Sequence, residues 1–326
     1  MTALPPHYDD PVLGPEARAF DARIAERIAA GFVPDLRFCV PCDHFYKSFW
    51  RDPCFIALYE GRVVETYLSM IEGAAGGRKL RILDVGCGAG YVTLELARNG
   101  HDALGIDISC RCVEAARAQM AAAPRPEGFG ALEYRCCTLD DVAERFDLVL
   151  FSVSLHHLPD PEAALATSGT LLRPGGLLLC CEPRHELWRT EDAAQVAFIR
   201  MMLAAAGCWF DPGQTIAEDP KALSAAADEV LREYREERDS HETGGQSPND
   251  LQTEGGVLLD LCRRRFEEIE TRPGASFIYR VLGGLRGETR TVRRLARLLA
   301  AYDRHAVETG ALRPNFFFFI GRRREG

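Results

Sequence analysis

Short apolar runs alternate with amphipathic stretches along the middle of this chain, and a second set of such runs lies near its C-terminus. Apolar runs of this length predict buried strands, and the stretches between them have helical spacing or read as turns. This order is typical of an α/β fold, with a mostly parallel sheet covered by helices on both faces. The predicted strands are 80–85, 103–107, 131–136, 147–152, 177–182, 266–272 and 315–321, with a further element at 275–282 and a helix at 289–308.

The segments outside this alternation predict additional helical layers. Residues 16–32 have helical spacing, and 36–71 form an aromatic-rich, mostly helical stretch ahead of the first strand. Two further helices are predicted at 188–207 and 219–240, before a polar loop at 241–250. We therefore expect four parts: an arm and helical lid (1–78), a ligand-binding core (79–184), a helical cap insertion (185–262) and C-terminal elements that complete the sheet (263–326).

The most informative segment is ILDVGCGAGYVT at residues 82–93, followed by GIDIS at 105–109. A strand ends on Asp84, three glycines follow at alternate positions, and a second strand ends on Asp107. Alternate glycines let the backbone turn sharply and approach a ligand, and an acid about 20 residues on can accept both hydroxyls of a ribose. This pattern indicates a nucleotide-binding βαβ unit.

The glycine spacing narrows the choice of nucleotide. Dinucleotide loops read GxGxxG, whereas here the third glycine, Gly90, comes one residue early and an acid precedes the first. An acidic loop does not suit a diphosphate, but it does suit a ligand with an ammonium group and a sulfonium. The expected ligand is S-adenosylmethionine (SAM).

At these residues the chain resembles the class I SAM-dependent methyltransferases. Three later segments also match that family in the right order: FDLVLFSVSLHHLPD at 146–160, LLRPGGLLLCCEP at 171–183 and NFFFFIG at 315–321. The resemblance implies a Rossmann-like sheet of seven strands, with the last strand antiparallel inside it. It also implies N-terminal helices that fold over the cofactor, SAM as that cofactor and a small-molecule acceptor.

The resemblance implies roles for individual residues. The loop glycines lie against the methionine part of the cofactor, Asp107 holds the ribose and Ile108 packs on the adenine. The family often carries an acid at the position of Thr138, so Asp140 or Asp141 could replace it here. The expected cofactor-binding residues are Asp84, Gly86, Cys87, Gly88, Gly90, Asp107, Ile108, Thr138, Leu139, Ser152, Tyr46 and Trp50.

Two adjacent histidines follow the fourth core strand, where a nucleophile would approach the methyl group. His156 and His157 are the catalytic candidates, because imidazole titrates close enough to neutrality to accept a proton from a hydroxyl or ammonium. The alternative is structural, since LHHLPD recurs in similar methyltransferases with different acceptors. One histidine would then orient the loop beside the cofactor.

The chain has twelve cysteines, and most are expected to be small core residues in a reducing compartment. This expectation includes the adjacent pairs Cys136-Cys137 and Cys180-Cys181. The cluster of Cys39, Cys42, His44 and Cys54 offers ligand types that zinc accepts, but its spacing is irregular, and we expect no metal.

Bulk properties exclude several partners. The net charge of −9 opposes non-specific binding to DNA or RNA, so nucleic acid is not expected as a partner. Neither a signal sequence nor a run of about 18 apolar residues is evident, so we expect a cytoplasmic protein without a membrane span. The sequence leaves the oligomeric state open.

The leading hypothesis is methyl transfer to an oxygen or nitrogen of a small metabolite. Three alternatives stay open at this point. SAM could itself be the substrate and cyclise with release of methylthioadenosine, the cysteine cluster could assist methylation of a soft acceptor, or the chain could be a regulatory module without catalysis.

Overall fold

The computed structural model describes residues 4–42, 48–235, 247–250 and 253–324 of the chain. Of the residues singled out above, Tyr46 and His44 lie outside these ranges. The expectation that Tyr46 contacts the cofactor therefore stays a prediction.

One sheet of seven strands runs through the described residues. Its strands are β1 (Arg81–Val85), β2 (Asp102–Asp107), β3 (Leu132–Cys136), β4 (Phe146–Ser152), β5 (Leu172–Pro183), β6 (Phe266–Pro273) and β7 (Phe316–Arg323). Their order across the sheet is β3-β2-β1-β4-β5-β7-β6. β1 to β5 pair in parallel, and β7 runs antiparallel between β5 and β6. This confirms the expected Rossmann-like α/β sheet with an antiparallel last strand inside it.

Helices cover both faces of the sheet and extend over the carboxyl ends of its parallel strands. Local sequence signals fix several of their starts: Ser109 and Asp160 each accept a hydrogen bond from the first turn of the helix that they precede. The helices are α1 (Leu13–Ala29), α2 (Pro53–Leu58), α3 (Glu60–Ala75), α4 (Tyr91–Arg98), α5 (Cys110–Ala122), α6 (Pro161–Leu171), α7 (Thr190–Ala205), α8 (Pro220–Arg235), α9 (Gly255–Arg265) and α10 (Thr289–Glu308).

Two features differ from the sequence-based expectations. β5 begins at Leu172 rather than near 177, because Leu172 pairs with Phe146 across an irregularity in the ladder that the Pro-Gly turn signal conceals. Cys136 is not a simple core residue, since a disulfide joins it to Cys110. Cys180 and Cys181 are buried on β5, as expected.

Three apolar clusters hold the layers together. Two of them cover the opposite faces of the sheet, and α9 packs in one of these through residues such as Leu258 and Cys262. The third joins α7, α8 and α10 through Trp188, Tyr234 and neighbouring side chains. The predicted cap range of 185–262 thus contains both outer helices and a helix of the sheet core. The four-part division of the chain stays a prediction.

No helix in the described ranges is both long enough and apolar enough to span a membrane.

Candidate active site

The carboxyl ends of the parallel strands open into a cavity of about 800 Å³. Ligands of open α/β sheets bind at this edge, and a cavity of this size is typical of small-molecule sites. Every described residue of the predicted cofactor set lines the cavity except Gly90, which lies against Tyr134 on the protein side of the loop. The cavity is therefore the candidate active site.

Glycine is required at two positions of the loop after β1. Gly86 and Gly90 have φ values of +72° and +82°. A Cβ atom on Gly86 would lie 2.6 Å from the Cβ of Ser154, and one on Gly90 would lie 2.6 Å from the ring of Tyr134. At Gly88 nothing lies within 4 Å of such an atom, so the loop is packed on its protein side and open on its cavity side. This is the shape that a closely approaching ligand needs.

Asp84 places an acceptor without a partner in the cavity wall. Thr93 donates a hydrogen bond to Asp84 Oδ2 at 2.6 Å, while the buried Oδ1 atom has no hydrogen-bond partner among the described residues. Burial raises the pKa of Asp84 to about 7, and the Thr93 bond lowers it in part. Such an atom suits a cationic donor, which fits the ammonium group of SAM.

Asp107 ends β2 with its carboxylate fixed by the backbone. The amide of Gly88 donates to Oδ2, and that of Ser109 donates to Oδ1, each at 2.8 Å. Burial raises the pKa of Asp107 to about 6, while these two bonds lower it. A carboxylate oxygen accepts more than one hydrogen bond, so both oxygens can still accept from the hydroxyls of a ribose.

The loop after β3 resolves the choice of a substitute acid at the adenine end. Asp141 Oδ2 accepts from both the amide and the hydroxyl of Thr138, at 2.9 and 2.8 Å, so this acid serves as a cap. Asp140 lines the cavity beside Thr138 and Leu139, whereas Asp141 does not. Of the two candidate acids, only Asp140 lines the cavity.

The turn after β4 contains strained backbone that the sequence did not indicate. Val153 has a φ of +56°, which is unfavourable for a β-branched residue. Its neighbours are tightly held, since the Tyr67 and Ser152 hydroxyls lie 2.7 Å apart and Ser154 Oγ donates to the Val85 carbonyl at 2.6 Å. The strained turn thus locks the end of β4 against the glycine loop.

The two candidate histidines occupy different positions. His156 lies behind the cavity wall, with Nδ1 2.6 Å from a carboxylate oxygen of Glu182, and both side chains are almost completely buried. Glu182 also accepts from the backbone amides of Ser154 and Leu155. His157 lines the cavity instead.

A buried carboxylate fixes the ring of His157. Its Nδ1 atom lies 3.1 Å from Glu16 Oε1 and 3.1 Å from the hydroxyl of Ser247, and Phe20 packs against the ring edge-on. Burial alone would raise the pKa of Glu16, but hydrogen bonds from His157, Ser247 and the Asn249 backbone hold it below its usual value. Glu16 therefore faces His157 as an anion.

A lid of aromatic residues closes the cavity on the N-terminal side. The Trp50 ring meets those of Phe32 and Tyr91 edge-on, with centroids 4.6 and 5.5 Å away. The cysteines nearby serve the lid as packing residues: Cys42 donates a hydrogen bond to the Trp50 carbonyl, and Cys39 donates to that of Leu36. Within the described ranges Cys39, Cys42 and Cys54 do not converge as metal ligands, and His44 lies outside those ranges.

One group of potential metal ligands does occur in the described part of the chain. It consists of His156, His157 and Asp250, whose ligand atoms lie within 4.8 Å of one another. The sequence analysis did not identify it, because Asp250 is distant in sequence from the two histidines.

Beyond the cofactor residues, the cavity continues from the end of β4 to the start of β7. We call this part the acceptor section; its walls are Tyr59, Glu60, Tyr91, Tyr279 and Phe316. Phe316 begins β7 opposite the end of β5, which places this section on the far side of β1 from Asp107. Sequence reasoning did not group these residues, because Tyr279 and Phe316 come more than 180 positions after the other three and form no local motif with them.

Comparison with known proteins gives the following similarities. Residues 60–223 match a family model described as a methyltransferase domain. A ubiquinone biosynthesis O-methyltransferase of Cereibacter sphaeroides is 38% identical over 143 residues, which is 43% of this chain and 56% of that protein. A protein of the same name from Neisseria meningitidis is 34% identical over 116 residues, covering 34% of this chain and 47% of the relative. The chain thus spans about half the length of these relatives.

Among solved structures, the chain is similar to the [4+2]-cyclase SpnF. The TM-score is 0.50 at 15% sequence identity, and the superposition covers 96% of each chain. At this identity the similarity concerns the fold.

Proposed function

The chain belongs to the class I SAM-dependent methyltransferases, and from this membership we propose that it methylates an oxygen or nitrogen of a small metabolite. When bound, SAM supplies an activated methyl group on a sulfonium that leaves as a neutral thioether. The names of the similar O-methyltransferases favour oxygen as the acceptor atom. The observation that carries the proposal is a cavity lined by the glycine loop, Asp84 and Asp107, which continues into the acceptor section beyond them.

The chain's own residues divide the work of holding the cofactor. Asp84 Oδ1 would accept from the ammonium group, and Asp107 would accept from the ribose hydroxyls. Ile108 and Leu139 would give apolar contact to the adenine, and Asp140 would accept from its amino group. The lid around Trp50 excludes water, which matters because water competes with the acceptor as a nucleophile.

For proton removal we propose His157. With Nδ1 directed at the Glu16 carboxylate, the other ring nitrogen, Nε2, is left to receive a proton. Glu16 stabilises the imidazolium that results, as an acid does in a histidine–carboxylate pair. His156 does not line the cavity, and its partner Glu182 fixes the turn after β4, so its role is structural.

The acceptor section argues against the alternative in which SAM is its own substrate. A protein that only cyclises SAM needs no room for an acceptor. Here the cavity extends beyond the cofactor loops to Tyr279 and Phe316. Thiol-assisted methylation is also disfavoured, because Cys39 and Cys54 are half-buried residues whose pKa burial raises.

The test is mass spectrometry of adenosyl products after incubation of the full chain with SAM, alone and with a small-metabolite extract. The proposal expects S-adenosylhomocysteine (SAH) only when extract is present, together with a methylated product. Methylthioadenosine from SAM alone would contradict it. An Asp107→Asn variant should lose the product, whereas Asp228→Asn, an exposed change on α8, should not.

The base assignment has its own readout. His157→Gln should lower kcat with little change in SAH affinity, because the group that accepts the proton is lost. His156→Gln should instead lower the stability of the fold, because His156 is buried against Glu182. A kcat equal to that of wild type in His157→Gln would refute the assignment.

A further inference from the structure

The acceptor section contains a buried acid that the cofactor does not require. Glu60 is the first residue of α3, is only 8% exposed and lines the cavity. It follows Tyr59, whose ring stacks with that of Tyr279, so it belongs to the part of the cavity beyond the cofactor loops. Buried glutamates are rare unless they are paired, and an unpaired one in a cleft is a candidate for ligand binding.

Glu60 has a hydrogen bond but no countercharge. Tyr91 supplies the hydrogen bond, and no arginine, lysine or histidine in the described part of the chain forms an ion pair with it. Burial raises the pKa of Glu60 to about 7, and the Tyr91 bond offsets only part of that rise. Near neutrality an anion here is only marginally stable, and a cation placed beside it would stabilise it.

Aromatic rings build the remainder of the section. Tyr59 and Tyr279 stack with centroids 5.7 Å apart, and Phe316 meets Tyr279 edge-on at 5.1 Å. Phe49 packs against Tyr59 at 5.0 Å. Faces of such rings attract ammonium groups, and the attraction is larger where water is excluded.

Positive charge is also present near this section. Arg280 lines the cavity, and its guanidinium lies 3.9 Å from Glu233 and over the rings of Tyr234 and Tyr279. Glu233 also accepts two hydrogen bonds from Arg200, at 2.6 and 3.0 Å, so the two arginines share one carboxylate. Glu60 carries no ion pair within the described residues, so its carboxylate is the group of this section that can receive a cation.

We propose that the acceptor section binds a protonated amino group of the acceptor, held by the Glu60 carboxylate beside the ring of Tyr59. The inference rests on the proposed function, because it names the acceptor class of the same reaction. A protonated amine has no lone pair, so the methyl group goes to another atom of the same molecule. The acceptor class is that of small amines with a second nucleophile, such as a hydroxyl group.

The test uses two probes of similar shape that differ in charge. Tyramine carries an ammonium group, and 4-(2-hydroxyethyl)phenol has a neutral hydroxyl in its place. Their affinities for the full chain saturated with SAH are measured by calorimetry at pH 8. Wild type should prefer tyramine by about tenfold or more, as expected for a desolvated charged hydrogen bond.

Two variants separate this role from a structural one. Glu60→Gln keeps the size of the side chain and should remove the preference for tyramine without changing SAH affinity. Glu65→Gln, an exposed change on the same helix, should leave the preference intact. The inference would be overturned if wild type did not distinguish the two probes, or if Glu60→Gln kept the preference for tyramine. It would also be overturned if Glu60→Gln lost affinity for SAH instead of losing that preference.

The pH dependence supplies an independent readout. Burial raises the pKa of Tyr59, Tyr67, Tyr91 and Cys181 above neutrality. Asp84, whose charge acts on Tyr91, has a pKa of about 7, as Glu60 has, so the Glu60→Gln variant is needed to separate the two acids. Tyramine affinity should therefore rise with pH up to about 7 and then level off, and Glu60→Gln should flatten this rise. Tyr91→Phe removes the hydrogen bond to the carboxylate and should move the midpoint to higher pH. A midpoint that does not move would count against the assignment.

The inference and the proposed function can fail separately. Methylated products that are all neutral molecules would leave the proposed function standing and overturn the amine site. An absence of any methylated product with extract would contradict the proposed function itself.

Discussion

Replacing Asp84 by asparagine should stabilise the ligand-free protein at alkaline pH and weaken its hold on the cofactor. Burial raises the pKa of Asp84 from 3.8 to about 7. A difference of roughly three units corresponds to about 4 kcal/mol of ionisation cost in the fold, at 1.36 kcal/mol per unit. Because the folded pKa is the higher one, stability is greatest below pH 3.8 and is lost as pH rises through about 7.

Measurements at two pH values separate the ionisation cost of Asp84 from the cost of the buried amide in the variant. Asparagine keeps an oxygen for Thr93 but places an amide in the wall, and that group without a partner costs about 1–3 kcal/mol. This cost does not depend on pH, whereas the ionisation cost of wild type grows by about 3 kcal/mol between pH 5 and pH 8. The stability of the variant relative to wild type should therefore rise by that amount over this interval.

The assay is urea unfolding of both proteins at pH 5 and pH 8, with Asp228→Asn as an exposed control. Calorimetry at pH 8 then compares SAH with methylthioadenosine, which has the ribose but lacks the ammonium group. Asp84→Asn should lose affinity for SAH and retain that for methylthioadenosine. Equal pH slopes of stability in variant and wild type, or equal losses for both ligands, would refute the reasoning.

Three further outcomes follow from the site. Methylthioadenosine affinity should fall as pH drops below about 6, because Asp107 becomes protonated, and Asp107→Asn should show no such fall in calorimetric titrations. Gly90→Ala should destabilise the fold by roughly 2 kcal/mol or more, from its positive φ and the clash with Tyr134. Gly73→Ala, at an open helical position, should instead stabilise the fold by about 1 kcal/mol. Unfolding curves in which Gly90→Ala is as stable as Gly73→Ala would contradict this prediction. Val153→Gly should raise the unfolding free energy by about 1 kcal/mol through relief of its backbone strain; a clear loss of stability would show that the turn is not strained.

The cofactor half of the site was predictable because its signals are local. The glycine loop and Asp107 lie within one βαβ unit, and a turn that admits only glycine leaves a short, readable pattern. The apolar runs likewise predicted the sheet, since strands buried on both faces need continuous apolar sequence. The antiparallel place of β7 came from the family resemblance.

The acceptor half was not predictable for the opposite reason. Tertiary packing alone brings Glu60 and Tyr279 to the same cavity, and in the sequence each is an ordinary surface or core residue. The strain at Val153 leaves no trace in composition, because valine is common at strand ends. Which histidine reaches the cavity also depended on Glu16 and Glu182, whose contacts span 141 and 26 positions.

The contacts of Glu16 bear on how the cavity could be dismantled. Its carboxylate receives His157 from the β4 turn, and the hydroxyl of Ser247 and the amide of Asn249 from a segment more than 230 positions away. One side chain of the N-terminal helix thus links the turn after β4 to the distant segment. Removal of residues 1–16 and deletion of residues around 248 should therefore have the same effect, because each removes one partner of the same hydrogen-bonded contact.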